Sequence, residues 1–212
     1  MRRLIAAGTA LTLVLASCAP LPEQASEKLP SPPGANQVTM SKVQDGKFLE
    51  FVGPRQQHTE AFLGVDDTNY FCLRSWVDTR TGEVAHQLYV EDSYYGSPYR
   101  WSGASEADGK PLRFIPISRN EISCDEGCSY ADEFAAALPD DLLRAKHDAG
   151  LSVTFTSDTG KSLAVTVPAR FIAEQLTAIN ATRSALAANA GTAATPAAAP
   201  QPAAQNPAPP AP

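Results

Sequence analysis

The chain lacks every compact signature of catalysis. Its 212 residues contain no Gly-x-Ser-x-Gly elbow, no His-Glu-x-x-His, no phosphate loop and no dinucleotide fingerprint. There are only three histidines, His58, His86 and His147, and they are scattered without metal-ligand spacing. Each reads as structural or solvated, so neither a metal nor a cofactor is expected. Asp158-Thr159-Gly160 matches the aspartic-protease triplet, but that chemistry needs two carboxylates and only one copy is present. Long hydrophobic runs are missing too. The apolar stretch from Leu4 to Leu15 falls well short of the roughly 20 residues that span a bilayer.

That short stretch has another use. Arg2 and Arg3 precede it and Leu15-Ala16-Ser17-Cys18 follows it, the layout of a secretory signal. Leu-Ala-Ser placed directly before a cysteine resembles the bacterial lipobox. The resemblance implies that residues 1–17 are removed and that Cys18 is acylated, becoming the mature N-terminus. Acyl chains, at about 0.8 kcal/mol per buried CH₂, would then hold the protein to a membrane. In a Gram-negative cell, Ala19 at the next position implies the outer membrane, with the domain facing the periplasm. Loss of Arg2 and Arg3 leaves 15 basic residues against 23 acidic ones, a net charge of −8. With no basic cluster in the body, nucleic acid is excluded as a partner.

Proline is scarce where the chain must fold. Twelve of the 18 prolines lie in two flanks, Pro20 to Pro33 and Pro196 to Pro212, so the body between them is free to form regular structure. Residues 18–37 read as a lipidated tether, reaching on the order of 60 Å at about 3.3 Å per residue. Residues 189–212 are almost only Ala, Pro, Gln, Asn and Thr. Without large apolar side chains they cannot offset their ordering entropy and are expected to be disordered. Residues 38–188 remain as one globular domain.

Within this body, alternation of apolar and polar residues bounded by turn signals dominates. Strands are expected over Phe48–Val52, Ala61–Val65, Tyr70–Val77, Val84–Asp92 and Tyr99–Gly103. Further strands are expected over Leu112–Ser123, Cys128–Ala137, Leu151–Ser157 and Ser162–Val167. Thr79-Arg80-Thr81-Gly82 and Ser157-Asp158-Thr159-Gly160 read as hairpin turns. Pro139-Asp140-Asp141 starts a helix that Gly150 ends. A second helix, from Pro168 to about Leu186, carries the stripe Phe171, Ile172, Leu176, Ile179 and Leu186. The expectation is a mainly β domain, an antiparallel β-sandwich or β-roll with two packed helices and disordered flanks.

Three cysteines lie beyond Cys18. Cys124 and Cys128 flank Asp-Glu-Gly between two strand-like segments, where a tight hairpin would bring them within bridging distance. A structural disulfide is favoured over a redox-active pair, which would sit at a helix N-terminus. Zinc would need Cys72 as a further ligand. Cys72 reads as a buried free thiol, or as a partner of one hairpin cysteine.

Two features bear on function. Tyr89, Tyr94, Tyr95, Tyr99 and Trp101 crowd around Gly96-Ser97-Pro98. Such a segment either forms a contact surface, with Tyr94, Tyr95, Tyr99 and Trp101 as candidates, or sends alternate rings into the core. The later half carries Phe114-Ile115-Pro116, the Cys124/Cys128 hairpin, Leu142-Leu143, Gly150, Val153-Thr154-Phe155, Gly160-Lys161 and Val165-Thr166-Val167-Pro168. In that order, across residues 112–180, they resemble the invasion-associated locus B family of secreted β-sandwich proteins. That family has an extra upstream cysteine pair where this chain has Cys72 alone. The resemblance implies a non-enzymatic envelope protein and supplies no catalytic residues. The functional expectation is therefore a membrane-anchored, non-enzymatic binding or structural module with a protein or glycan partner. The alternative is an accessory enzyme of cell-wall or envelope maturation. Its signature would be Asp78, Glu91, Asp92, Glu121 or Glu133 clustered in one pocket.

Overall fold

The computed structural model describes residues 37–125 and 127–193. The signal segment, Cys18, nearly all of the tether and most of the Ala/Pro-rich tail lie outside the described residues. Eleven strands and two helices follow in order. The first strands are β1 (Thr39–Val43), β2 (Phe48–Val52), β3 (Gln56–Gln57), β4 (Tyr70–Asp78), β5 (Val84–Tyr95) and β6 (Trp101–Glu106). Then come β7 (Pro111–Leu112), β8 (Phe114–Ser123), β9 (Ser129–Leu138) and helix α1 (Asp140–Ala145). The last elements are β10 (Leu151–Ser157), β11 (Ser162–Val167) and helix α2 (Ala169–Ala193).

The strands form two antiparallel sheets. The larger runs β1-β2-β4-β5-β9-β8, with β3 paired to the start of β4, and the smaller runs β11-β10-β6-β7. The expected mainly β architecture with two packed helices is therefore what the chain adopts. The smaller sheet lies over the β9-β8 side of the larger one, while α2 packs on β2 and β4. Leu88, Val90, Phe134, Trp101, Val153, Phe155 and Ile172 meet in the main core. Leu49, Phe51, Val77 and Ile179 fill a second cluster under α2. The predicted helical stripe of Phe171, Ile172, Leu176 and Ile179 is buried.

Where expectation and structure differ, the cause is local. Ala61–Val65 is apolar enough for a short strand, yet Phe62–Gly64 is a 3-10 turn with Leu63 at φ +54°. Its ends are closed by Thr68, whose Oγ accepts from Phe62 N–H and donates to the Val65 carbonyl. The strand expected from Tyr99 begins at Trp101, because Arg100 adopts φ +57°. β1 forms although its TMSKV carries little apolar signal; it is a solvent-exposed edge. The α1 helix closes early, at Ala145, and Gly150 turns the chain at φ +82°. A Cβ there would come within 2.9 Å of the Val167 carbonyl, so glycine is required for both conformation and space.

The outer face of the larger sheet carries no second layer among the described elements. Planar side chains cover it instead. The Arg55 guanidinium lies 4.6 Å from the Tyr70 ring, and Arg74 lies 5.2 Å from Tyr89 and 5.3 Å from Trp76. Arg74 also pairs with Glu50 at 2.9 Å. Beneath this cover Cys72 is a buried free thiol whose pKa burial pushes up to about 11.

On the inner face one polar clamp joins the layers. Gln175 of α2 is fully buried, and its Nε2 donates to the Phe51 carbonyl at 3.1 Å and to Ser75 Oγ at 3.0 Å. Truncation would leave both acceptors dry. Gln175→Ala should therefore lower the unfolding free energy by about 3 kcal/mol. The check is a shift of the urea midpoint at unchanged slope.

Candidate functional site

The aromatic segment divides as its strand alternates. Tyr94 and Trp101 are buried, Tyr99 is half-buried and Tyr95 is 57 % exposed. Tyr94 stacks on Tyr99 with centroids 3.6 Å apart, and Tyr99 meets Trp101 edge-on at 5.9 Å. Three of the four candidate rings are thus brought together at one end of the sandwich interior. Tyr95 points to the opposite face of its strand.

Beneath those rings lie carboxylates. Asp92 and Asp132 are direct neighbours across the β5–β9 ladder, and both are buried. Trp101 Nε1 donates to Asp92 Oδ2 at 3.1 Å, and His58 Nε2 lies 3.9 Å from Oδ1. Burial pushes the Asp92 pKa up to about 6, against the pull of His58, with the charge of Asp132 adding to the rise. Asp132 accepts from the Tyr94 hydroxyl at 2.8 Å and from Arg119 Nε at 3.0 Å. Next to this pair, a cleft of about 240 Å³ opens between β8 and the start of β6, where Trp101, Phe114, Phe134, Arg119 and Asp132 contribute to its wall.

The same end of β5 anchors a loop. Buried Glu91 accepts from Asn69 N–H and from the Ser93 hydroxyl. The Asn69 side chain accepts from Ser93 N–H at 2.7 Å and donates to the Glu60 carbonyl at 2.8 Å. His58 Nε2 donates to the Glu91 carbonyl at 2.8 Å. Held in this way, the loop packs Phe62 against Tyr95 with the rings tilted at 51° and their centroids 4.8 Å apart. It leaves Leu63 and Val65 exposed at 69 % and 55 %. A leucine at φ +54° is uncommon, and here its side chain gains no burial in return.

The remaining candidates are dispersed. Asp78 caps a hairpin by accepting from Arg80 and Thr81 N–H. Glu121 is exposed on edge strand β8, and Glu133 sits on the outer face against Tyr89. Of the five acidic residues named from sequence, only Asp92 belongs to the paired cluster with Asp132, and Glu91 lies beside it. Cys124 and Cys128 form a disulfide. With Glu121 they are also the one trio of metal-type ligand atoms among the described residues, and their sulfurs are already bonded to each other.

A relay that no motif search finds connects Ser75, His86 and Asp140. Ser75 Oγ lies 2.7 Å from His86 Nδ1, and His86 Nε2 lies 2.9 Å from Asp140 Oδ1. Burial lowers the His86 pKa, which favours the neutral ring, with Nδ1 accepting from Ser75 and Nε2 donating to Asp140. The connectivity is that of a hydrolase triad, but Ser75 is fully buried under Gln175. No substrate carbonyl could reach it, so the relay joins α1 and the sheet. The predicted turn at 79–82 contained the clue, since a tight hairpin there places Ser75 opposite His86.

Comparison with protein-family models, with curated proteins and with solved structures finds no match. Among the described residues no helix is long and apolar enough to cross a membrane.

The titrations carry opposite signs. Asp92 binds its proton more tightly when folded, so its contribution to stability falls as pH rises from about 4 to about 6. His86 binds its proton less tightly when folded, so stability is lost as pH falls below about 6.5. In Asp92→Asn the first component vanishes, because the amide does not titrate, while its oxygen can still accept from Trp101. The variant should gain on the wild type by about 2 kcal/mol between pH 4 and pH 7. Urea unfolding at each pH measures this, and a pH-independent difference would contradict the assignment.

Proposed function

We propose that this is an envelope lipoprotein, held to a membrane through Cys18 and most simply placed on the outer membrane facing the periplasm. Its domain acts as a non-enzymatic binding module. The observation that carries this reading is the clamped apolar end formed by Leu63, Val65 and Tyr95. Apolar side chains exposed on a loop fixed by buried hydrogen bonds suit a preorganised contact with a partner, since little freedom remains to be lost on binding. The partner is an envelope protein or glycan. Internal pairing of the buried carboxylates supports the same view, because Glu91, Asp92 and Asp132 each already accept bonds from this chain.

A second reading rests on Asp92. A carboxyl group held near neutrality beside a second carboxylate and a cleft is the arrangement of an acid–base pair. That favours an accessory enzyme of cell-wall or envelope maturation.

Two experiments test the first reading. Wild-type protein grown with radiolabelled palmitate should carry the label and Cys18→Ala should not; an unlabelled wild type, or label retained by the variant, would refute acylation at Cys18. Crosslinking of the acylated protein in its native envelope should recover a partner, and Leu63→Ser/Tyr95→Ser should reduce that recovery at least about tenfold, the loss of one or two hot-spot side chains. Both residues are exposed, so the urea midpoint should hold. Unchanged recovery would remove this surface from the function.

A further inference from the structure

The cleft between β8 and β6 has a composition that selects its ligand. Its aromatic wall comes from Trp101, Phe114 and Phe134, with Trp101 and Phe134 centroids 5.2 Å apart and Phe114 and Phe134 5.8 Å apart. Its polar side is the Arg119–Asp132 pair, with Ser118 beside it. Arg119 uses Nε on Asp132 and is 42 % exposed along its side chain, so its terminal nitrogens remain open to a ligand. The cleft also sits at a β-bulge. The ladder register slips between Pro116 and Ser118, and Ile117 has no partner across it. Bulges of this kind recur beside binding sites, where they re-aim side chains.

Charge narrows the choice. An anion drawn to Arg119 would meet Asp132, with Asp92 directly behind it on the neighbouring strand. A cation drawn to Asp132 would compete with Arg119, which already holds that place, and Glu133, also in the lining, is engaged by Tyr89 on the outer face of the sheet. A neutral, hydroxyl-bearing ring has neither difficulty. Its hydroxyls can accept from the guanidinium and donate to the carboxylate. Its C–H face lies against Phe114, the half-exposed ring of the wall, behind which Trp101 and Phe134 are buried. Size points the same way, since about 240 Å³ is below the roughly 300 Å³ at which sites for drug-sized ligands begin. The space suits one ring.

We infer that the cleft is a subsite for a single neutral pyranose ring of a glycan, with Arg119 and Asp132 reading its hydroxyls. This rests on the binding reading above and names a ligand class for it, at a place separate from the Leu63/Tyr95 end.

The two tryptophans make the test direct. Trp101 forms part of the cleft and Trp76 lies on the outer face of the larger sheet, so their indole N–H resonances act as reporter and control. Methyl glucopyranoside and N-acetylglucosamine are titrated into the folded domain, with n-butylammonium and acetate as charged controls. The expected result is a saturating shift of the Trp101 signal with at least one sugar, none at Trp76, and none with either control. Arg119→Gln, at an exposed position, should weaken the sugar response about tenfold by removing a charge-assisted bond. No Trp101 shift at sugar concentrations on the order of 100 mM, beyond the millimolar range of weak ligands, would overturn the inference. So would a shift that a charged control reproduces, or one that Arg119→Gln leaves intact. Because the partner recovery test acts on Leu63 and Tyr95, a silent cleft with a working contact surface would sink this inference alone.

Discussion

Strand β5 is buried on both faces from His86 to Tyr94, and this constraint shapes the rest of the domain. A strand in that position must find a partner for every polar side chain it carries, because an unpaired buried group costs about 1–3 kcal/mol. β5 carries His86, Gln87, Glu91, Asp92 and Ser93. Its burial is therefore tolerable only because neighbouring elements bring donors and acceptors to meet it.

Two polar networks result, one toward each end of the strand. At the first end His86 links Ser75 and Asp140, and Gln175 reaches the same serine from α2. Ser75, His86 and Asp140 each meet a partner there, while the Gln175 Oε1 has none, and helix placement is the network's evident product. At the other end Glu91 fixes the Asn69 loop while Asp92 and Asp132 face inward toward the aromatic rings. There the network opens on one side to a cleft and on the other to an apolar knob. The difference in access, more than in residue type, separates a structural relay from a candidate site.

Much of the architecture was legible from local pattern. Phe48–Val52, Leu151–Ser157 and Ser162–Val167 occur with the bounds that the sequence pattern suggests, since each is short and bounded by turn residues, and the last two alternate strongly. The β10–β11 hairpin follows from its Thr159-Gly160 turn. Ala61–Val65 shows the limit of the method. Ala-Phe-Leu-Gly-Val is apolar enough for a short strand, but Thr68 closes the segment into a turn, and five residues hold too little periodicity to reveal it. Asp132 carries no local signal for a different reason. Its importance comes from standing opposite Asp92, forty residues away in a strand pairing that no short turn dictates.

The amino-acid sequence alone determined the class of the domain, its strand-forming segments, its hairpin turns and the apolar stripe of its long helix. These depend on period and on turn chemistry, which act over a few residues. Tertiary structure decided which polar residues share an interior. Long-range register brought Asp92 to Asp132, put Ser75 beneath α2, turned Tyr94 inward and left Tyr95 outside. Because strand side chains alternate, a shift of one residue in that register would exchange the two faces. The chemistry of the site therefore depends on pairing between distant segments, and such pairing leaves no local trace.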